Sequence, residues 1–261
     1  MLIFLLCAYV SLCAYVVKQY LAHMKPFLTA HWQNLIMLNY AIDPFVLEKY
    51  LPGGTELDIW NGICYVSLVG FMFLNTRVRG ISVPFFSNFE EFNLRFYVRF
   101  KDGEEWKRGV VFVKEIVPKR IVSSIANSVY GEHYYCYPMK NSLIENDGLI
   151  KVKYEWFYKN EWNFIEVTAE EDTYPLIENS EEEFITQHFW GYTKLSNGAT
   201  SEYHVEHPRW DIHKVVSHNV QCNSKDLYGD DFDYYLKQPP VSAFMARGSD
   251  VKVFPRKLWK F

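Results

Sequence analysis

Val117-Pro118-Lys119-Arg120 sets two cations side by side at the end of a strand-like apolar run. Pro118 suits the first position of a helix, which would place Lys119 and Arg120 in its first turn, against the positive end of the helix dipole and against each other. Both effects disfavour the charged ammonium, so the pKa of a Lys119 screened from water would fall. A neutral amine attacks carbonyls, which makes Lys119 the candidate nucleophile and Arg120 its activator. On an open surface the two heads would simply extend into solvent.

Glu91, within Asn88-Phe-Glu-Glu-Phe92, and Glu115, in the run before Lys119, are the candidate proton carriers. Side-chain alternation sets Glu115 on one face with Val111 and Val113, so its charge is expected to be buried; Arg95 is the available cation for pairing or for holding an acidic ligand. Glu202-x-His204-x-Glu206 puts three metal-ligand types on one face of a strand, with His207 on the other. The spacing is not H-E-x-x-H, and His188, His213 and His218 add no diagnostic pattern, so no metal site is expected. There is no G-x-S-x-G elbow, G-x-G-x-x-G turn or P-loop, which leaves serine hydrolysis and nucleotide binding unsupported and calls for no cofactor.

The elements that must position these groups read mainly as strands. Tyr65 to Phe73 is an almost continuous apolar run, as in a strand buried on both faces. From Asn93 to Phe100 the pattern alternates, with Leu94, Phe96, Val98 and Phe100 on one face and Asn93, Arg95, Tyr97 and Arg99 on the other. Asp102-Gly103 is a hairpin turn leading to a partner strand over Gly109–Val117. Lys151–Tyr158 and Trp162–Thr168 flank a second tight turn, and Ser196-Asn197-Gly198 leads into Thr200–Val205. Ser242–Arg247 and Asp250–Phe254 are expected to form the last pair. Helical spacing of Ile121, Val122, Ile125, Ala126 and Val129 predicts a helix opened by Pro118, and Ser180-Glu-Glu-Glu183 is a capping box before a short helix through Phe184, Ile185 and His188. Hairpins with few helices point to a closed or nearly closed barrel, which also removes exposed sheet edges.

The composition agrees with a folded β protein. Of 261 residues 49% are hydrophobic, with 20 Phe and 19 Tyr suited to pleated, half-buried surfaces. A net charge of −4 gives no excess of cations for a phosphate backbone, so nucleic acid is not an expected partner. Of five cysteines, Cys64, Cys136 and Cys222 lie scattered outside the apolar leader, which fits reduced thiols in a cytoplasm. Residues 1–23 form a separate apolar leader, and residues 24–261 one domain. The run Leu2–Val17 is at the short edge for a membrane span and lacks the basic start of a signal peptide. Its readings are a translation start at Met24, an anchor that keeps the domain cytoplasmic, or a cleaved signal. A homo-oligomer is the usual state of soluble enzymes.

Several segments in order, Leu38-Asn-Tyr40, Leu51-Pro-Gly-Gly-Thr-Glu-Leu-Asp58, Tyr65-Val-Ser-Leu-Val-Gly-Phe71, Asn88 to Tyr97, Arg108 to Pro118 and Glu202 to Trp210, resemble the YqjF-like bacterial family of the acetoacetate decarboxylase superfamily. The resemblance implies a cone-shaped antiparallel β-barrel with an internal cavity. It also implies that Pro118-Lys119-Arg120 corresponds to the Schiff-base lysine segment of the decarboxylase, with Arg in place of a second Lys, and that Glu91 matches a pocket carboxylate. Ser67 stands where another carboxylate is expected, and no Arg lies around Gln33, which weighs against decarboxylation. Two functions follow. The favoured one is a small-molecule-binding barrel with an aromatic-lined pocket in which Arg95, Tyr97 and Ser67 hold an acidic or carbonyl-containing ligand. The other is a lyase-like enzyme acting on a small keto acid through Lys119, Arg120, Glu91 and Glu115.

Overall fold

Period-two patterning and two-residue turns build most of the chain. The computed structural model describes residues 25–82 and 84–261; the 1–23 leader and the readings attached to it lie outside the described residues. The strands and helices run in the order β1 (Leu28–Ala41), α1 (Pro44–Glu48), β2 (Thr55–Leu57), β3 (Tyr65–Val78), β4 (Ile81–Ser82), β5 (Phe89–Asp102), β6 (Glu105–Val117), α2 (Arg120–Tyr130), β7 (Tyr134–Cys136) and β8 (Met139–Asn146). There follow β9 (Leu149–Tyr158), β10 (Glu161–Tyr174), α3 (Glu181–Thr186), β11 (Trp190–Lys194), β12 (Thr200–Glu206), β13 (Ile212–Gln221), α4 (Ser224–Tyr228), α5 (Asp230–Leu236), β14 (Ser242–Val253) and β15 (Lys257–Trp259). No helix among the described residues is long and apolar enough to cross a membrane.

The fold is mainly β. The hairpins expected from turn chemistry form: β5 and β6 close at Asp102 and Glu105, with Gly103 at φ 65°, and β9 and β10 close around Lys159 and Asn160, both at positive φ. The hydrogen-bonded order β12-β11-β6-β5-β3-β1-β14 returns to β12 through Val205 opposite Val253 and Glu206 opposite Lys252. The ladder is not purely antiparallel, because β6 pairs in parallel with both β11 and β7. Both partners arrive by connections containing a helix, as parallel pairing requires.

Three further expectations are corrected. Ser242 to Val253 is one strand rather than a pair; it runs antiparallel to β1 and bends at Gly248, φ 89°, without reversing. A Cβ at Gly248 would lie 2.1 Å from the carbonyl oxygen of Trp32, so the bend brings the two backbones close. Pro118 lies before α2, and Lys119 is its N-cap in extended geometry (φ −118°, ψ 110°). The first turn therefore holds Arg120, not Lys119. The capping box forms only half, since Ser180 Oγ accepts from Glu183 N at 3.1 Å while the Glu183 carboxylate takes the N–H of Asn179.

Both faces of the central strands are covered. Leu94, Phe96 and Val98 pack outward with Ile36, Leu68, Tyr154 and Trp156, which belong to a cluster that also takes in α4 and α5. Phe92 stacks on Trp156 with ring centroids 3.8 Å apart. Gly70 leaves room for this layer, since a Cβ there would lie 2.7 Å from the Tyr154 ring. The opposite faces of β1, β3, β5 and β6 surround a cavity.

Candidate functional site

The face of β5 opposite its apolar stripe turns Glu91, Asn93 and Arg95 into this cavity. Polar residues alternating on a strand ordinarily meet water; here a second packed layer behind the strand turns them inward. On β6 a bulge intervenes, for Lys114 pairs with Leu94 while Phe112 pairs with Arg95. The extra residue reverses the alternation, so Val110 and Phe112 line the cavity before it and Glu115 after it. Glu115 is buried as expected, but it does not share a face with Val111, which packs in the outer cluster.

Helix α2 closes one side of the cavity. Its apolar stripe of Ile121, Val122, Ile125 and Ala126 faces inward, and Gly131 at φ 77° ends the helix in the left-handed conformation that favours glycine. The chain then turns back, bringing Glu132 and Tyr134 to the cavity. Asn127 holds this return: its Oδ1 accepts from Tyr134 N at 2.8 Å and its Nδ2 donates to Tyr134 O at 3.0 Å. Tyr134 lies opposite Glu115 in the β6–β7 ladder. Its hydroxyl donates to Glu91 Oε2 at 2.8 Å, and Asn93 Nδ2 donates to Glu91 Oε1 at 3.1 Å.

Glu91, Glu115 and Glu132 are thus three buried carboxyls, at 2%, 1% and 5% exposure, in one cavity. Removal from water pushes all three upward, Glu91 and Glu132 to about 7 and Glu115 well above its ordinary range, and the like charges of Glu132 and Glu91 push Glu115 further. Arg95 and the two donors pull Glu91 back down; Thr193 and Tyr203 do the same for Glu132. Oε2 of Glu115 and both carboxyl oxygens of Glu132 nevertheless have no hydrogen-bond partner within normal geometry. Gly191 admits the neighbouring Tyr203 ring, whose Cζ would lie 2.1 Å from a Cβ at that position.

Arg95 is half-buried. Its Nη2 donates to the carbonyl of Ile185 at 3.4 Å and touches Met37 Sδ at 3.7 Å, and its guanidinium lies 5.6 Å from the Tyr97 ring centroid. Its Nε is buried without a partner, and no carboxylate among the described residues lies within ion-pair distance of it. Nearby, His188 meets Asp58 Oδ2 through Nε2 at 3.2 Å, and Arg108 Nε donates to the same oxygen at 2.6 Å. Burial lowers His188 to about 4, so the ring is neutral and Asp58 selects the tautomer protonated at Nε2. Its Nδ1 has no partner.

Of the residues singled out in the sequence, Glu91, Arg95 and Glu115 line one cavity. Tyr97 and Ser67 are buried behind it and bond to each other at 2.7 Å, with Ser67 Oγ also donating to Asn39 Oδ1 at 2.6 Å. Lys119 is half-buried and Arg120 exposed, and neither is a lining residue. The Glu202, His204 and Glu206 set disperses: Glu202 meets Tyr192 and Lys107, His204 stacks between Trp190 and Phe254, and Glu206 pairs with Lys252. Glu132, Tyr134 and Tyr203 carried no sequence signal beyond the Gly131 that redirects the chain toward them. The cavity, of about 180 Å³, is otherwise mostly aromatic and aliphatic, walled by Trp32, Phe71, Phe73, Phe89 and Trp210 among others, with Thr76, Thr186, His188 and His207 as further polar lining.

This arrangement of strands is that of the acetoacetate decarboxylase-like proteins. Acetoacetate decarboxylase from Legionella pneumophila subsp. pneumophila str. Philadelphia 1 superposes with a TM-score of 0.61 at 13% identity, over 90% of this chain and 88% of that one. An acetoacetate decarboxylase-like enzyme from Sphingomonas wittichii RW1 gives 0.62 at 10% identity over 90% and 94%. The enduracididine biosynthesis enzyme MppR complexed with pyruvate gives 0.61 at 12% over 90% and 91%. At these identities the likeness is one of fold. Within that class the chain belongs to the family DUF2071, described as an uncharacterized conserved protein, which it matches over residues 29–250. It is 30% identical over 111 residues to the uncharacterized protein YqjF of Bacillus subtilis (strain 168), a stretch covering 42% of this chain and 44% of that relative.

Proposed function

We propose that residues 24–261 form a small-molecule-binding domain, a closed barrel of the decarboxylase-like type, whose cavity holds a small carboxylic or carbonyl compound with Arg95 as its anion anchor. One observation carries this reading: a guanidinium faces a largely apolar cavity, its Nε has no partner, and no carboxylate among the described residues lies within ion-pair distance of it. A half-buried cation without a counter-ion is costly, and a bound carboxylate supplies the missing partner with geometry suited to the planar fork. The size is consistent, since a void of roughly 150 Å³ admits benzene, so a cavity of about 180 Å³ suits a ligand of similar bulk. Titration calorimetry with propionate, butyrate and valerate tests the reading. Binding by the wild type that weakens about 10- to 100-fold in Arg95→Gln supports it, and equal binding by both removes Arg95 as the anchor.

A second reading keeps Lys119 as a Schiff-base amine, favoured by its place two residues beyond β6 and three before the lining residue Val122. The test is borohydride reduction in the presence of small keto acids, followed by peptide mass analysis. A reduced adduct on Lys119 makes lyase-like chemistry the function; an unmodified Lys119, under conditions that label a decarboxylase, leaves binding.

A further inference from the structure

Resting on the reading of Arg95 as a carboxylate anchor, we propose that the other part of the same cavity receives a protonated amine on Glu115 and Glu132, so that the ligand is a small amino acid rather than a simple acid. The two acidic residues are almost wholly buried, line the cavity, and present three oxygens without a hydrogen bond of normal geometry, Oε2 of Glu115 and both oxygens of Glu132, although the Thr193 and Tyr203 hydroxyls lie near Glu132. An ammonium group carries three N–H donors and no acceptor, and it complements these oxygens once the carboxyls release the protons that burial holds on them. Glu91 is different, because Tyr134 and Asn93 already donate to its two oxygens.

The cation and the open acids sit at different levels of the ladder: Arg95 lies opposite Phe112 on β6, whereas Glu115 lies opposite Asn93 on β5 and Tyr134 on β7. A ligand spanning the cavity therefore meets positive charge at one place and unpaired acceptors at another. Glu132 also lies beside Tyr130 and Tyr203, whose rings pack edge to face with centroids 4.7 Å apart. Such rings favour a cation over a second anion. Among the described residues no three His, Cys, Asp or Glu side chains are grouped so as to hold a metal ion, so the open oxygens are better matched by N–H donors.

The test is calorimetric titration of the full chain with three matched series: β-alanine, γ-aminobutyrate and δ-aminovalerate; propionate, butyrate and valerate; and propylamine, butylamine and pentylamine. The expected result is that at least one amino acid binds about tenfold or more tightly than the acid of the same length, the worth of a hydrogen bond to a charged group. Glu132→Gln should abolish that preference while the acid binds as before, with a melting curve showing that the variant is folded. Acids binding as well as or better than amino acids would overturn the amine site and leave the Arg95 reading standing. Amines binding as tightly as the amino acids, with acids not binding, would support the amine site and refute Arg95 as an anchor. A preference unchanged in Glu132→Gln, or no binding by any series, would overturn the proposal.

Discussion

Replacing Glu132 by Gln keeps the shape of the side chain and removes its charge, which isolates the electrostatic cost of a third buried carboxyl. In the folded protein Glu132 holds its proton up to about 7, against an ordinary 4.5 once the chain unfolds. Between those values the folded state binds more protons than the unfolded state, so the stability contributed by this group is greatest at acid pH and falls as pH rises through 7. A difference of that size corresponds to about 3 kcal/mol once both states are ionised. Glu132→Gln should therefore melt close to the wild type near pH 5 and roughly 5–10 °C above it near pH 8, the shift expected for that energy in a chain of this length. Differential scanning calorimetry of both proteins across that range measures it. A melting-point difference that is constant with pH, or a variant less stable than the wild type near pH 8, would refute the argument that burial keeps Glu132 protonated.

Two substitutions test the packing that frames the site. Gly191→Ala drives a methyl into the Tyr203 ring, and it should cost about 1–3 kcal/mol in urea unfolding, as overpacking does; a neutral result would mean that Tyr203 has another place to go. Trp156→Ala removes a fully buried ring stacked on Phe92, and it should cost about 3–5 kcal/mol by the same measurement, whereas a loss below about 1 kcal/mol would show that the outer layer does not hold the central strands.

How legible the site was depended on the range of the forces that make it. Turn residues and period-two alternation act over a few positions, so the hairpins at Asp102-Gly103 and Lys159-Asn160 and the strands beside them could be read directly. The apolar stripe of α2 was equally local, but its meaning was not: the same spacing that predicts a helix does not say that Ile121 and Val122 would face a cavity while Lys119 caps the helix in extended geometry. Glu115 was read as buried for a sound reason and given the wrong neighbours, because a single-residue bulge at Val113 reverses the alternation and leaves no mark in the sequence pattern.

The mainly β class, the hairpins, and the charged side chains Glu91, Arg95 and Glu115 as candidates were legible in the chain, because side-chain type and short-range periodicity are local properties. The tertiary structure alone decided that these three meet Glu132, Tyr134 and Tyr203. It also decided that Ser67 and Tyr97 bond to each other, and that Arg95 faces the cavity with no carboxylate among the described residues within ion-pair distance. The physical reason is that burial and the distance between charges depend on how strands distant in sequence pair and on which second layer covers them.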